Sequence, residues 1–217
     1  MMKKYVLSAV AITVICITVL AVTRNSSMDR LSNREIRILR EEYSINDNQP
    51  EFLDMRISSL EECVARCDVY AEIEIIGKPV EYIRTVKIDP NTPEGRINQI
   101  TGIVTEFPFI KYEARIINDA FNDIEGTCEI SYSSEFGDCM PILEPGKRYI
   151  VGGSYNSDYG TIDIGCKTVF YVTEDGYVLS VQSEISRNRH TGKKVDDLLS
   201  YLNVVKAETE EISVEIK

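Results

Sequence analysis

The sequence contains no tryptophan and only one histidine, His190, among its 217 residues. A single histidine cannot supply the histidine clusters of many metal and acid–base sites, and no serine or cysteine lies in a recognisable nucleophile motif. The chain also lacks a glycine-rich phosphate-binding loop. We therefore expect a protein that is not an enzyme and has no cofactor and no metal site, with His190 as a solvated loop residue.

Positive charge is also scarce. The chain has 24 lysines and arginines against 35 aspartates and glutamates, which gives a formal net charge of −11. Basic side chains are in slight excess over the first 43 residues, so the remainder of the chain is more acidic than the whole. Because an acidic surface repels a phosphate backbone, we expect no nucleic-acid partner.

The longest apolar run covers residues 5–22, from Tyr5 to Val22, and follows two lysines. As a helix it would span about 27 Å, which is close to the thickness of a hydrocarbon core. We predict a membrane anchor over residues 1–23, followed by a stalk or linker over residues 24–56. A cleaved signal peptide is the alternative interpretation, since the two lysines would suit its charged first region.

The body begins with a capped helix that leads into a strand. Ser59 and Glu62 form a Ser-x-x-Glu capping box, which satisfies N–H groups at a helix start. An apolar stripe of helical spacing follows, formed by Leu60, Cys63, Val64 and Cys67. From Val69 to Ile75 apolar residues alternate with polar ones, which is typical of a half-buried strand.

Short strands and turns fill most of the remaining chain. Turn residues separate roughly six or seven strands, without the crossover helices that a parallel α/β fold needs. A second helical stripe follows them, formed by Val195, Leu198, Leu199 and Leu202. We predict a mainly β fold over residues 57–205, an antiparallel barrel with a helix at each end, preceded by the N-terminal transmembrane helix. Residues 206–217 would form a charged tail.

Three stretches of the body carry a recognisable pattern. They are Cys67-Asp68-Val69 through Gly77-Lys78, Cys139 with Leu143-x-Pro-Gly-Lys-x-Tyr149, and Gly160-x-Ile-x-Ile-x-Cys166. Together they resemble the netrin-like module, an OB-like barrel also found in tissue inhibitors of metalloproteinases. The Ser-Leu-Glu-Glu helix and Asp-Val strand are also similar to the domain start of anchored surface proteins of Gram-positive bacteria. The resemblance implies an OB-like barrel on the extracytoplasmic side of the membrane.

The sequence departs from this family in its cysteines. The metalloproteinase inhibitors act through an N-terminal cysteine that chelates zinc, and this chain has no Cys-x-Cys pattern, so that mechanism does not carry over. The resemblance implies disulfides between the first helix and the barrel, with the candidates Cys63, Cys67, Cys139 and Cys166. Cys128 would be a free or alternative thiol. Buried reduced thiols are the other interpretation, and a zinc site is disfavoured because only Cys63 and Cys67 are closely spaced.

A protein partner is the remaining functional expectation. Tyr155 and Tyr159 lie in a hairpin loop and form a possible contact loop, unless they cap the barrel end. We expect a non-enzymatic, extracytoplasmic protein-interaction module, anchored to the cell membrane by a single span, with an unknown protein partner. A protease inhibitor or a cell-envelope enzyme accessory that uses the barrel loops is one alternative. A cytoplasm-facing regulatory domain is another, since five arginines follow the apolar run.

Overall fold

The computed structural model of this chain describes residues 30–48, 59–86, 89, 91–102, 105–121 and 124–215. The helices in these ranges are α1 (Asn33–Leu39), α2 (Leu60–Arg66), α3 (Pro93–Thr101), α4 (Ile185–Asn188) and α5 (Val195–Glu215). The strands are β1 (Val69–Ile75), β2 (Val80–Val86), β3 (Thr105–Asp119), β4 (Thr127–Ser133), β5 (Arg148–Asn156), β6 (Thr161–Ile164), β7 (Phe170–Val172) and β8 (Val178–Ser180). Two short 3-10 helices, Ser134–Cys139 and Cys166–Thr168, follow β4 and β6.

Five of the strands close into a barrel. β1 pairs antiparallel with both β3 and β5, β3 pairs antiparallel with β4, and β5 with β6. A parallel pairing of β4 with β6, in which Ile130 lies opposite Ile162, completes the circle. The chain is therefore mainly β, and its closed barrel is compatible with an OB-like fold, although one pairing is parallel rather than antiparallel.

The barrel wall separates two buried cores. Ala71, Ile73 and Ile75 of β1 point into the barrel, as the alternation in the sequence predicts. Tyr70 points to the opposite side, where α2 and α5 cover the wall. Both helices bury most of the stripes that the sequence indicates, formed by Leu60, Val64, Val195, Leu198, Leu199 and Leu202, with Cys67 buried directly after α2. Cys63, the remaining predicted member, is only half-buried. The predicted capping box of Ser59 and Glu62 is also present.

The connection from β1 to β3 extends the sheet beyond the barrel. β2 pairs antiparallel with the first half of β3, from Val80 opposite Lys111 to Val86 opposite Thr105. Because β3 is 15 residues long, its second half can still pair with β1 and its middle with β4. We call this connection, residues 76–102, the arm; it contains β2 and α3.

Residues 30–48 lie against the barrel domain. Arg30 donates from Nε to the Thr191 carbonyl at 3.1 Å, and Arg40 donates to the Ser180 carbonyl at 2.8 Å. Tyr43 is buried, with its ring 5.4 Å from that of Tyr171. This part of the predicted stalk is thus joined to the domain by hydrogen bonds and apolar contact. At the other end of the chain, α5 continues as far as Glu215, into the segment predicted to be a charged tail.

The predicted fold class requires a correction at its N-terminal element. None of the helices in the described ranges is both long and apolar enough to cross a membrane. The longest, α5, has 21 residues but carries Asp196 and Asp197 in its first turn. Over the described residues the fold class is therefore a mainly β fold with a closed barrel and a few helices, and no transmembrane helix is among them. The apolar run of residues 5–22 lies outside the described residues, and the membrane location stays a prediction.

Candidate functional site

Arg84 ties the arm to the barrel. Its side chain lies on β2 and is only 4% exposed. The guanidinium donates to both carboxylate oxygens of Asp163 on β6, at 2.6 and 3.0 Å, and to the hydroxyls of Ser131 and Thr161, each at 3.0 Å. A two-point contact of this kind fixes direction as well as distance. The arm is therefore held over the seam where β4 and β6 close the barrel.

Aromatic rings enclose the same guanidinium. The Arg84 Cζ lies 4.0 Å from the ring centre of Phe109 and 4.4 Å from that of Tyr159. Cation–π contacts of this geometry stabilise by about 0.5–2 kcal/mol. Tyr159 also donates from its hydroxyl to the Thr85 carbonyl at 2.8 Å. The β5–β6 hairpin is thereby joined to the arm.

The electrostatics of this cluster favour an ion pair. Burial opposes the charged form of Asp163, but hydrogen bonds from Arg84, Ser131, Asn156 and Thr161 outweigh it and hold the pKa of the carboxyl below its ordinary value. Asp163 is thus ionised at neutral pH and engaged by several donors. We interpret the cluster as a clamp that positions the arm, with no step of acid–base chemistry assigned to it.

Neither Arg84 nor Asp163 was among the candidate functional residues predicted from the sequence. Each is a charged residue within a short strand, and Asp163 alternates with the inward-facing Ile162 and Ile164. The alternation places Asp163 on the outer face of the barrel. Their pairing could not be predicted, because 79 positions separate them in the chain.

The two predicted contact tyrosines have different surroundings. Tyr155 is 59% exposed on β5, whereas Tyr159 is 37% exposed and uses one ring face for Arg84. The arm beside this hairpin exposes further large apolar side chains, namely Ile76, Val80, Ile83, Ile97 and Ile100. The arm and the hairpin together hold more than half of the exposed large apolar side chains in the described ranges. These two elements are the candidate functional site, and because Ile83 alternates with Arg84 along β2, its side chain lies on the face of β2 opposite the hairpin.

The cysteines are all free thiols in the part of the chain that the structure describes. The disulfides expected between the first helix and the barrel are therefore not seen. Cys63 accepts a hydrogen bond from Arg187 at 3.2 Å, and burial raises the pKa of Cys67 to about 12. Burial likewise raises the pKa of Cys128, on β4, to about 11. Cys139 and Cys166 lie together in the barrel core.

His190 is not a solvated loop residue, so that prediction is wrong. Its side chain is 1% exposed, and its ring centre lies 4.6 Å from that of Tyr201. Nε2 accepts a hydrogen bond from Arg189 Nε at 3.1 Å. Burial first, and then the positive charges of Lys193 and Arg189, lower the pKa of His190 to about 4. The imidazole is therefore neutral at pH 7.

A cleft of about 400 Å³ lies between residues 42–48 and the turn before β5. Tyr149 lines it, donating to the Ile142 carbonyl at 3.1 Å and accepting from the Glu144 N–H at 3.0 Å. Tyr171 donates to the Ser44 carbonyl at 3.2 Å. The Tyr171 contact joins the N-terminal segment to the barrel, whereas the Tyr149 contacts fix the turn before β5. Within the described ranges, no three or more His, Cys, Asp or Glu side chains are grouped so that they could bind a metal ion.

Comparison with known proteins gives no assignment. No protein-family model matches this chain, and no curated protein matches it at a significant level.

Proposed function

We propose that this chain is a non-enzymatic protein-interaction module that binds its partner through the arm and the β5–β6 hairpin. The observation that carries the proposal is the concentration of exposed apolar side chains on these two elements, including Ile83 at 59% and Ile100 at 85%. Exposed apolar patches are typical of protein-binding surfaces. In OB-like barrels, the loops at these two positions are common binding elements, an analogy of fold that supports the choice of surface.

The clamp at Arg84 supports the same proposal. A contact surface binds more tightly when it is ordered before binding, because less conformational entropy is lost. β2 is ordered by its pairing with β3, and its Arg84 is held by Asp163, Phe109 and Tyr159. The arm would therefore present Ile83 in one orientation to a partner.

We also propose that the barrel is netrin-like. The resemblance in the sequence maps onto consecutive elements: the turn at Pro145 and Gly146, strand β5, the hairpin, and β6 followed by Cys166. Gly146 has a φ of 81°, a conformation that favours glycine, which gives the Pro-Gly pair of this motif a structural reason.

Matched pairs of substitutions test the binding surface. The arm variant carries Ile83→Ser and Ile100→Ser, and the control carries Ile38→Ser and Ile185→Ser, whose side chains are 57% and 84% exposed elsewhere. Full-length tagged proteins would be crosslinked in their native cells and the captured proteins quantified by mass spectrometry. We expect at least one protein to be lost from the arm variant and kept by the control. Equal capture by both variants would contradict the proposal, provided that both unfold at the same temperature as the parent chain.

A further inference from the structure

The topology brings two cysteines to one end of the barrel. β4 and β6 run parallel, with Glu129 opposite Thr161 and Ser131 opposite Asp163, so both strands leave the barrel at the same end. Cys139 ends the 3-10 helix that follows β4, and Cys166 begins the 3-10 helix after β6. Two residues that are distant in the chain therefore meet beside the seam that closes the barrel.

The two thiols lie in the same buried cluster. Cys139 is 1% exposed and Cys166 is 6% exposed, both within the barrel core. The Cys139 thiol donates to the Phe136 carbonyl at 3.1 Å, and its interaction with Cys166 raises the pKa of Cys139 while it lowers that of Cys166. The interaction with Cys139, together with the charges of Lys167 and Arg187, outweighs burial and lowers the pKa of Cys166. Cys166 is thus the member of the pair that loses its proton more readily.

We propose that Cys139 and Cys166 form an intramolecular disulfide that staples the seam between β4 and β6. The chain positions the pair for this bond without help from the first helix. The seam is the shortest part of the barrel closure, with register pairs at only Glu129, Ile130 and Ser131 on β4. A covalent link beside this seam would restrain β4 and β6 at the barrel pairing that has the fewest paired residues.

A small-molecule disulfide such as oxidised glutathione is the oxidant of this reaction. Because Cys166 is buried, the reaction takes place during folding or local opening: its thiolate attacks one sulfur of glutathione disulfide, the glutathione S–S bond breaks, and one glutathione thiolate leaves. Cys139 then loses its proton to solvent and attacks the Cys166 sulfur of the mixed disulfide, which releases the second glutathione. Two protein thiols are oxidised, and one glutathione disulfide is reduced to two thiols, each of which takes up one proton.

Peptide mapping tests the pairing directly. The full chain would be equilibrated with glutathione disulfide, its free thiols alkylated, and the protein digested without reduction. We expect the Cys139–Cys166 peptide to be the main crosslinked product. The Cys166→Ser variant should lose it, whereas the matched Cys128→Ser variant should keep it. Free thiols at both positions, a stable glutathione adduct at Cys166, or a main crosslink that involves Cys63 or Cys67 would each overturn the proposal.

Thermal unfolding provides a second measurement. A loop of this length, closed from Cys139 to Cys166, should raise the unfolding temperature of the oxidised chain by about 5–10 °C over the reduced chain. The difference should disappear in Cys166→Ser and persist in Cys128→Ser. An oxidised chain that contains the crosslink but unfolds at the same temperature as the reduced chain would contradict the stapling role. Should Cys166→Ser fail to fold, the peptide map of the parent chain decides the pairing.

Discussion

Arg84 on β2 and Asp163 on β6 form a bidentate ion pair across the seam of the barrel, with nitrogen–oxygen distances of 2.6 and 3.0 Å. The guanidinium is almost fully buried, and the Asp163 side chain is 31% exposed. A buried guanidinium without its counter-ion would retain a charge that the surrounding rings of Phe109 and Tyr159 compensate only in part. The pair therefore couples the position of the arm to the integrity of the barrel.

Replacement of Asp163 by asparagine should destabilise the protein strongly. We expect the free energy of unfolding to fall by about 3 kcal/mol, because Arg84 stays buried while its partner loses its charge. The matched control is Glu74→Gln, which removes the partner of Arg115, a side chain that is 58% exposed. That change should be below about 1 kcal/mol. Urea unfolding followed by circular dichroism measures the stability of both variants. Equal losses in the free energy of unfolding would show that the buried pair stabilises the protein no more than the exposed pair does.

Local structure followed from the sequence where neighbouring residues determine it. The capping box at Ser59, the alternation of β1 and the apolar stripe of α5 each depend on residues within a few positions of one another. The helix α3 carried such a signal too, since Thr92 accepts from the Gly95 N–H and Pro93 opens the helix. The predicted barrel has helices only at its two ends, so this helix was missed.

The closing of the barrel and the candidate surface depend on distant residues. The parallel pairing of β4 with β6 skips β5 in the chain, and no local pattern indicates such an order. The burial of His190 was missed because its segment is polar throughout. Arg187 lies in α4 and His190 in the turn that follows it, where its N–H donates to the Arg187 carbonyl at 3.0 Å, and both side chains are buried despite that composition. Tyr159 was identified in the sequence as a possible contact residue, but its packing on Arg84 required the three-dimensional structure.

Gly152 should resist substitution, because the ring of Tyr70 occupies the space of a side chain. A Cβ at this position would lie 2.3 Å from the ring, and Tyr70 is fully buried and cannot move into solvent. We expect Gly152→Ala to lower the free energy of unfolding by about 1–3 kcal/mol. Gly165→Ala is the control, since nothing lies within 4 Å of its added Cβ. Chemical denaturation of both variants checks the prediction, and equal stabilities would contradict the close approach of β5 to Tyr70.

Acid should destabilise the fold through His190. Burial, reinforced by Lys193 and Arg189, lowers the pKa of the folded imidazole to about 4, whereas an unfolded histidine titrates near 6.5. Between these two pH values His190 is protonated in the unfolded chain and neutral in the folded chain. The free energy of unfolding therefore rises as the pH is raised from about 4 to 6.5 and falls when the pH is lowered through the same range. The contribution of His190 is complete above pH 6.5 and amounts to about 3 kcal/mol at most.

A substitution that removes the titration isolates this effect. In His190→Gln, the side-chain amide oxygen can still accept from Arg189 Nε but takes up no proton. Urea unfolding at pH 7 and pH 5 should show a smaller loss of stability for the variant than for the parent chain. Glu61 faces the imidazole, and hydrogen bonds from Tyr201 and Ser59, with the charge of Arg189, outweigh burial and hold the pKa of this carboxyl below its ordinary value, so it stays ionised between pH 5 and pH 7. Equal losses of stability in both proteins between pH 7 and pH 5 would mean that the folded imidazole takes up its proton by pH 5, as the unfolded one does. Its burial against Tyr201 would then not keep it neutral.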